Sequence, residues 1–254
     1  MAIKRSKAPA GTLVVLEHHS RVLRDNPWGD PSVRKLAVWL PPQYDQAAGV
    51  GRKQASHTRF PVLYDMVGFT GSGLSHAGWR AFSYNLPERV ARLIYEGKMG
   101  PAIVVMPDCF TALGGNQYIN SSAVGRYADY LLKEIVPFVD REFRTLASRK
   151  HRGCFGKSSG GYGAIVHGMK YASHWGAVVD HSGDGAGAHS SRRDGAGAAA
   201  GLDPRAAATP LHGRDSTCRH LAARGGGGAV GGTGRRAGAG GGGAAALMAH
   251  LGRK

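Results

Sequence analysis

The sequence predicts an α/β fold in which a mostly parallel β-sheet is covered by helices on both faces, giving three layers. Short apolar runs alternate with segments of helical periodicity between residues 12 and 184. The 254-residue chain is 42% hydrophobic, which is enough for one domain of ordinary size. Because the regular pattern stops near residue 184, we expect a sheet that is incomplete at its C-terminal side.

The individual elements follow from their apolar patterns. Strands are expected over residues 12–22, 33–40, 60–67, 102–106, 153–156 and 176–179, and helices over residues 86–96, 127–143 and 160–171. Turn-forming residues 25–31 join the first two strands, and Pro41 and Pro42 end the second strand. Residues 46–59 are polar and predict a loop.

Composition excludes several classes of protein. No apolar run approaches the roughly 18 residues that a membrane span needs, so no membrane protein is expected. The basic first ten residues are not followed by a long apolar stretch, which argues against a secretory signal. Cys109, Cys154 and Cys218 are too few and too scattered for a disulfide framework or a zinc site. We therefore expect a cytoplasmic protein without a metal or cofactor.

The last 70 residues differ sharply in composition from the rest. Residues 185–254 contain 19 Gly and 18 Ala, 10 Lys or Arg against 3 Asp, and no Phe, Tyr, Trp, Ile or Glu. The formal net charge of the whole chain is +16, of which residues 1–184 carry 23 basic against 14 acidic side chains. We therefore divide the chain into a core, residues 1–184, and a low-complexity segment, residues 185–254.

Three interpretations of residues 185–254 compete. They could form a tail that binds nucleic acid through its arginines and glycines, a flexible extension, or the product of a shifted reading frame. Gly, Ala, Arg and Pro have GC-rich codons, so a GC-rich gene read out of frame gives this composition. The change falls inside a domain rather than after a finished fold, which favours the shifted frame.

Residues 156–160, Gly-Lys-Ser-Ser-Gly, fit the pattern G-x-S-x-G between a predicted strand and a predicted helix. In a nucleophile elbow the serine occupies a sharp turn, and its neighbours two positions away must be small for the backbones to pass. The hydroxyl of Ser158 would then stand exposed, with helix N–H groups beside it. The catalytic interpretation competes with one in which the glycines only permit close packing and Ser158 caps the helix.

The same residues partly match a phosphate-binding loop. That motif requires a glycine five positions before Gly156, where His151 stands instead. Gly153 would make the loop too short to wrap phosphates with its N–H groups. We therefore do not expect a nucleotide site.

A second glycine-rich segment, residues 68–71, follows the strand predicted over residues 60–67. A hydrolase of this kind uses two backbone N–H donors for the oxyanion, one after the nucleophile and one from the loop after the third strand. Ser159 would supply the first N–H and Phe69 the second. Alone this segment would indicate only a turn; together with the elbow it favours an oxyanion hole.

The chain resembles the putative-esterase branch of the α/β-hydrolase fold, which contains enterochelin-esterase-like and S-formylglutathione-hydrolase-like enzymes. The likeness runs in family order across roughly residues 12–184. It rests on residues 40–45, 62–71, 104–108, 125–131, 156–160 and 181–184. One departure is Asp65-Met66-Val67-Gly68, where the family commonly has a His-Gly pair. The backbone donor at Phe69 does not depend on that side chain.

The resemblance implies a serine hydrolase that cleaves small-molecule carboxylic esters or thioesters through an acyl-enzyme. Its triad acid and histidine should follow the serine in the chain, yet that region is residues 185–254. Asp184 could act as an acid, but no base is identified. The remaining candidates, none of them assigned, are His189, His212, His220, His250, Asp194, Asp203 and Asp215. We expect an impaired hydrolase; the alternative function is non-catalytic nucleic-acid binding through the basic tail.

Overall fold

A computed structural model describes residues 8–46 and 58–183 of the chain. Asp184 and residues 185–254, with the histidines and aspartates named above, lie outside the described residues. The predictions made for that segment therefore remain predictions.

The centre of the fold is a six-stranded sheet in the order β1-β2-β4-β3-β7-β8. The strands β4, β3, β7 and β8 are mutually parallel, whereas β2 pairs antiparallel with both β1 and β4. The strands are β1 (Thr12–His19), β2 (Val33–Leu40), β3 (Val62–Met66), β4 (Ile103–Pro107), β7 (Arg152–Lys157) and β8 (Ala177–His181). A separate two-stranded ribbon consists of β5 (Asn120–Ser121) and β6 (Gly125–Arg126).

Helices cover both faces of this sheet, as the alternating pattern predicts. They are α1 (Pro42–Gln46), α2 (Gly73–Ala77), α3 (Leu86–Tyr95), α4 (Tyr127–Asp129), α5 (Val136–Glu142) and α6 (Ser159–Lys170). One face carries a large apolar cluster that includes Tyr64, Tyr130 and Trp175, and the other carries a cluster around Trp39, Leu63 and Met106. Since β3 and β4 are buried along their whole length, they form the middle layer.

The first strand ends three residues earlier than its apolar pattern predicts, at His19 instead of Val22. The carboxylate of Glu134 accepts hydrogen bonds from the Ser20 hydroxyl at 2.5 Å and from the backbone N–H groups of Arg21 at 2.8 Å and Val22 at 3.1 Å. These N–H groups are therefore bound to a side chain and not to a neighbouring strand. The prediction of a strand through residue 22 is wrong for this reason.

The helix predicted over residues 127–143 is present but not uniform. Between α4 and α5 the backbone forms a π-helix at Tyr130–Ile135, and the helical segment ends at Glu142. Pro137 lies in the first turn of α5, directly after the π-helix, and has no N–H to donate to a carbonyl in the preceding turn.

Within the described ranges, no helix combines the length and apolar character that crossing a bilayer requires.

Candidate active site

Ser158 lies at the strand–turn–helix junction that the G-x-S-x-G pattern predicts. The strand β7 ends at Lys157, and α6 begins at Ser159. The backbone of Ser158 has φ 55° and ψ −127°, a conformation that an L-residue adopts only under strain. Its N–H donates to the carbonyl of His181 at 3.2 Å, and its carbonyl accepts from Tyr162 N–H at 3.0 Å. The turn is therefore fixed from both β8 and α6.

Both glycines of the motif are required by close backbone approach. A Cβ at Gly156 would lie 2.7 Å from the carbonyl oxygen of Met66 and would overlap the Gly160 carbonyl. A Cβ at Gly160 would lie 2.9 Å from Val67 O and would overlap the Met66 carbonyl. Real Cβ atoms do not approach other atoms this closely, so the elbow can pack against the end of β3 only with glycine at these positions.

The glycine-rich loop after β3 lies beside the elbow, as the oxyanion-hole hypothesis requires. A Cβ at Gly68 would lie 3.2 Å from Lys157 O and 3.6 Å from the Cβ of Ser158. No hydrogen-bond acceptor for the Phe69 N–H is found within residues 8–46 and 58–183. Ser159 is the first residue of α6, so its N–H belongs to the first turn of the helix. The backbone groups of Phe69 and Ser159 thus belong to two segments that meet at Ser158.

Asp65 and His76 form an ion pair that sequence reasoning did not find. Asp65 lies in the buried strand β3, and its side chain is only 1% exposed. His76 Nδ1, on α2, donates to Asp65 Oδ2 at 2.6 Å. Burial raises the pKa of Asp65, while the hydrogen bond to that carboxylate raises the pKa of His76. A carboxylate in a buried strand needs a hydrogen-bond or ion-pair partner. The presence of Asp65 in a strand predicted to be buried was therefore the sequence signal for such a pair.

Positive charge gathers at the carboxyl end of the central strands. Asp65 pairs in register with Phe155, so Lys157 lies two residues further along the same sheet face, and it pairs with His181 of β8. Lys157 is exposed directly beside Ser158. The charges of Lys157 and of the exposed Arg80 both act to lower the pKa of His76, against the larger effect of Asp65. The basic side chains of Lys157, Arg80 and His76 therefore lie near the elbow, where the exposed carboxylate of Asp180 is the nearby acidic group.

Two cysteines lie in the described ranges. Cys109 and Cys154 are free and buried. Burial raises the pKa of both thiols far above its usual range, so neither thiol is a nucleophile in the folded chain.

A protein-family model matches the part of the chain that contains the Ser158 turn. Residues 31–186 match the family model described as Putative esterase, which is more than half of the chain. The chain is also 33% identical over 136 residues to Esterase Rv1288 of Mycobacterium tuberculosis (strain ATCC 25618 / H37Rv). That alignment covers 51% of this chain but only 26% of the relative, so the chain spans about a quarter of the relative's length.

Solved structures show the same fold at lower identity. A ferulic acid esterase superposes with a TM-score of 0.50 and 22% identity over 65% of this chain and 58% of that chain. A second ferulic acid esterase, from Anaeromyces mucronatus in complex with ferulic acid, gives a TM-score of 0.51 and 21% identity over 69% and 59% of the two chains. With its fold and its family match in agreement, this chain belongs to the putative esterase family and has the α/β-hydrolase fold.

Proposed function

We propose that this chain is a serine hydrolase of small-molecule carboxylic esters or thioesters, in which Ser158 is the nucleophile. The observation that carries the proposal is the strained backbone of Ser158 at a strand–helix turn that only glycines permit. Strain of this kind persists where a side chain must be presented in one orientation. Membership of an esterase family supports hydrolysis over the alternative of nucleic-acid binding.

In the proposed reaction, Ser158 Oγ attacks the carbonyl carbon and its proton passes to a general base. The tetrahedral oxyanion accepts hydrogen bonds from the N–H groups of Phe69 and Ser159. Collapse breaks the bond to the alcohol or thiol, which leaves with the proton, and water then hydrolyses the acyl-enzyme. The base and the acid that orients it are assigned to no described residue, because in this family both normally follow strands that come after β8.

We further propose that residues 1–184 are the hydrolase core and that residues 185–254 are read out of frame. The composition changes abruptly after residue 184, close to the end of the family match at residue 186, and before a triad is complete, which supports this. Out-of-frame residues 185–254 would not supply the base and acid of the family's triad, whose loss makes a serine a poor nucleophile, although an oxyanion hole and binding alone leave about 10³–10⁴-fold over water in an intact fold. The chain of 254 residues is therefore proposed to be impaired.

Covalent labelling of the purified full chain tests the proposed nucleophile. At high concentration a fluorophosphonate probe should modify Ser158, more slowly than it would modify a hydrolase with a complete triad. Mass spectrometry of the digested protein locates the label. Ser158→Ala should abolish the signal, whereas Ser159→Ala should retain it, because Ser159 is proposed to act through its backbone N–H alone. Labelling of another serine, or equal labelling of both variants, would rule out Ser158 as the nucleophile.

Turnover and gene sequence test the proposed impairment. We expect little or no hydrolysis of a p-nitrophenyl ester by residues 1–254, and robust turnover would contradict the impairment. Sequencing of the gene across codons 180–190 should reveal a shifted frame that encodes further strands, an acidic residue and a histidine. A single uninterrupted frame without these features would refute the frameshift.

A further inference from the structure

One side chain holds both backbone groups of Val67, at the start of the loop that carries Phe69. The Val67 N–H donates to the Tyr118 hydroxyl at 2.5 Å, and this hydroxyl donates to the Val67 carbonyl at 3.1 Å. Tyr118 is 2% exposed, so water does not compete for these bonds. The peptide planes on both sides of Val67 are therefore fixed by a single phenol.

The next part of the loop is fixed by the chain just before Tyr118. The Gly115 N–H donates to the carbonyl of Phe69 at 2.5 Å. A Cβ at Gly115 would lie only 2.7 Å from the Cα of Phe69, so the two backbones are in direct contact. Residues 115–118 thus hold the loop through the carbonyl groups of Val67 and Phe69, one on each side of the Phe69 N–H. The Phe69 N–H itself donates to none of residues 115–118.

Tyr118 is itself held in an unusual backbone conformation, with φ 58°. Its N–H donates to Asn116 Oδ1 at 2.6 Å, and its carbonyl accepts from His167 Nε2 at 2.7 Å. His167 Nδ1 accepts from the indole N–H of Trp175 at 3.2 Å. One ring nitrogen of His167 donates and the other accepts, which defines a neutral tautomer. Burial favours that neutral form by lowering the pKa of His167 to about 4.

We propose that Tyr118 is a positioning residue of this site: its hydroxyl sets the orientation of the Phe69 N–H, and His167 holds Tyr118 in the required backbone conformation. This inference rests on the proposed role of the Phe69 N–H in binding the oxyanion. Hydrogen bonds run from Trp175 to His167, from His167 to Tyr118 and from Tyr118 to Val67. They connect α6 and the segment before β8 to the loop after β3. Neither Tyr118 nor His167 contacts substrate in this scheme.

Tyr118→Phe is the direct test, because it keeps the ring and removes only the hydroxyl. The Val67 N–H then loses its acceptor, and we expect amide hydrogen exchange over residues 67–71 to rise at least about tenfold. The rate of Ser158 labelling by a fluorophosphonate should fall about ten- to a hundredfold, as expected when an oxyanion donor is misplaced. Exchange over β7 should be unchanged, which shows that the fold is intact.

Tyr130→Phe is the matched control. Tyr130 is fully buried like Tyr118, but its hydroxyl has no hydrogen-bond partner within the described residues. Its removal should change neither exchange over residues 67–71 nor the labelling rate. An unchanged exchange rate in Tyr118→Phe, or an equal rise in Tyr130→Phe, would overturn the inference. If the native chain is not labelled at Ser158, the proposed nucleophile fails instead, while the exchange comparison still decides whether Tyr118 holds the loop.

His167 is tested by a pair of variants. The side chain of Gln can donate to the Tyr118 carbonyl and accept from Trp175, whereas Leu can do neither. We expect His167→Gln to keep exchange over residues 67–71 within about threefold of the native rate and His167→Leu to raise it at least about tenfold. Equal exchange rates in the two variants would show that the hydrogen bonds of His167 do not act on the loop.

Discussion

At the scale of single residues, two histidines show how neighbours decide protonation. His76 is partly exposed and bonded to a buried carboxylate, which raises its pKa. His167 is fully buried and bonded to a carbonyl and an indole, and burial lowers its pKa to about 4. Since His167 Nδ1 accepts a hydrogen bond from the Trp175 indole N–H, protonation of Nδ1 would break that contact.

The low pKa of His167 predicts a loss of stability in mild acid. The unfolded chain takes up this proton near pH 6.5 and the folded chain only near pH 4, so stability is fully retained above pH 6.5 and falls between the two values. The total loss from this group should be about 3 kcal/mol, at 1.36 kcal/mol per pH unit. Urea unfolding of the native chain and of His167→Gln between pH 7 and 4 measures it. Parallel pH profiles for the two proteins would contradict the prediction.

The site residues that sequence predicts are those defined by local spacing. Ser158 and its flanking glycines lie within five consecutive positions, and the Phe69 loop directly follows an apolar run. His76 and Tyr118 could not be found this way, because their partners Asp65 and Val67 come from other elements. Only the tertiary fold brings those pairs together.

At the scale of elements, the elbow depends on the packing of α6 against the end of β3. Helix α6 begins with two small residues, and Gly160 lies against the carbonyl groups of Met66 and Val67. Any side chain here must push α6 away from β3, and with it the Ser158 turn. The geometry of the candidate site is thus controlled by one helix–strand contact.

Gly160→Ala should therefore destabilise the fold by about 1–3 kcal/mol, the usual cost of overpacking, and should slow Ser158 labelling. Gly100→Ala is the control, because a Cβ at Gly100 meets no atom within 4 Å and the residue is exposed. That variant should change stability by no more than about 0.5 kcal/mol. Thermal unfolding of both variants provides the comparison. Equal stabilities would show that α6 can move without cost.

Element types follow from periodicity, whereas element ends depend on contacts. The core strands and α3 and α6 are predicted to within three residues at each end. The end of β1 is misplaced because Glu134, far along the chain, binds the N–H groups of Arg21 and Val22, which follow the strand. The short helices α1 and α2 and the ribbon β5–β6 have too few residues to show a period, so the sequence does not indicate them.

At the scale of the whole molecule, the chain is basic and some of its basic side chains lie beside the candidate site. The chain carries a formal net charge of +16. The exposed Lys157 and Arg80 and the partly exposed His76 lie at the edge of the sheet where Ser158 is presented. Clefts lined by one sign of charge raise the local concentration of oppositely charged ligands.

This charge predicts faster reaction with anionic probes. The labelling rate of Ser158 by an organophosphonate with a carboxylate should fall several-fold as the salt concentration rises from about 0.01 M to 0.3 M, because salt shortens the Debye length. A neutral organophosphonate should show little change. Lys157→Gln should weaken the salt dependence, and Lys170→Gln, at the far end of α6, should leave it unaltered. The same salt dependence for both probes would exclude electrostatic steering.

The pairing of β3 with β7 has a consequence for synthesis of the chain. Val62 pairs with Arg152, and the two halves of the candidate site come together only through this pairing. A ribosome therefore releases β3 long before its second neighbour exists. Until then β3, which is buried along its whole length in the folded chain, presents one row of unbonded peptide groups to solvent, and a pause in translation over the intervening segment should make the nascent polypeptide dependent on chaperones.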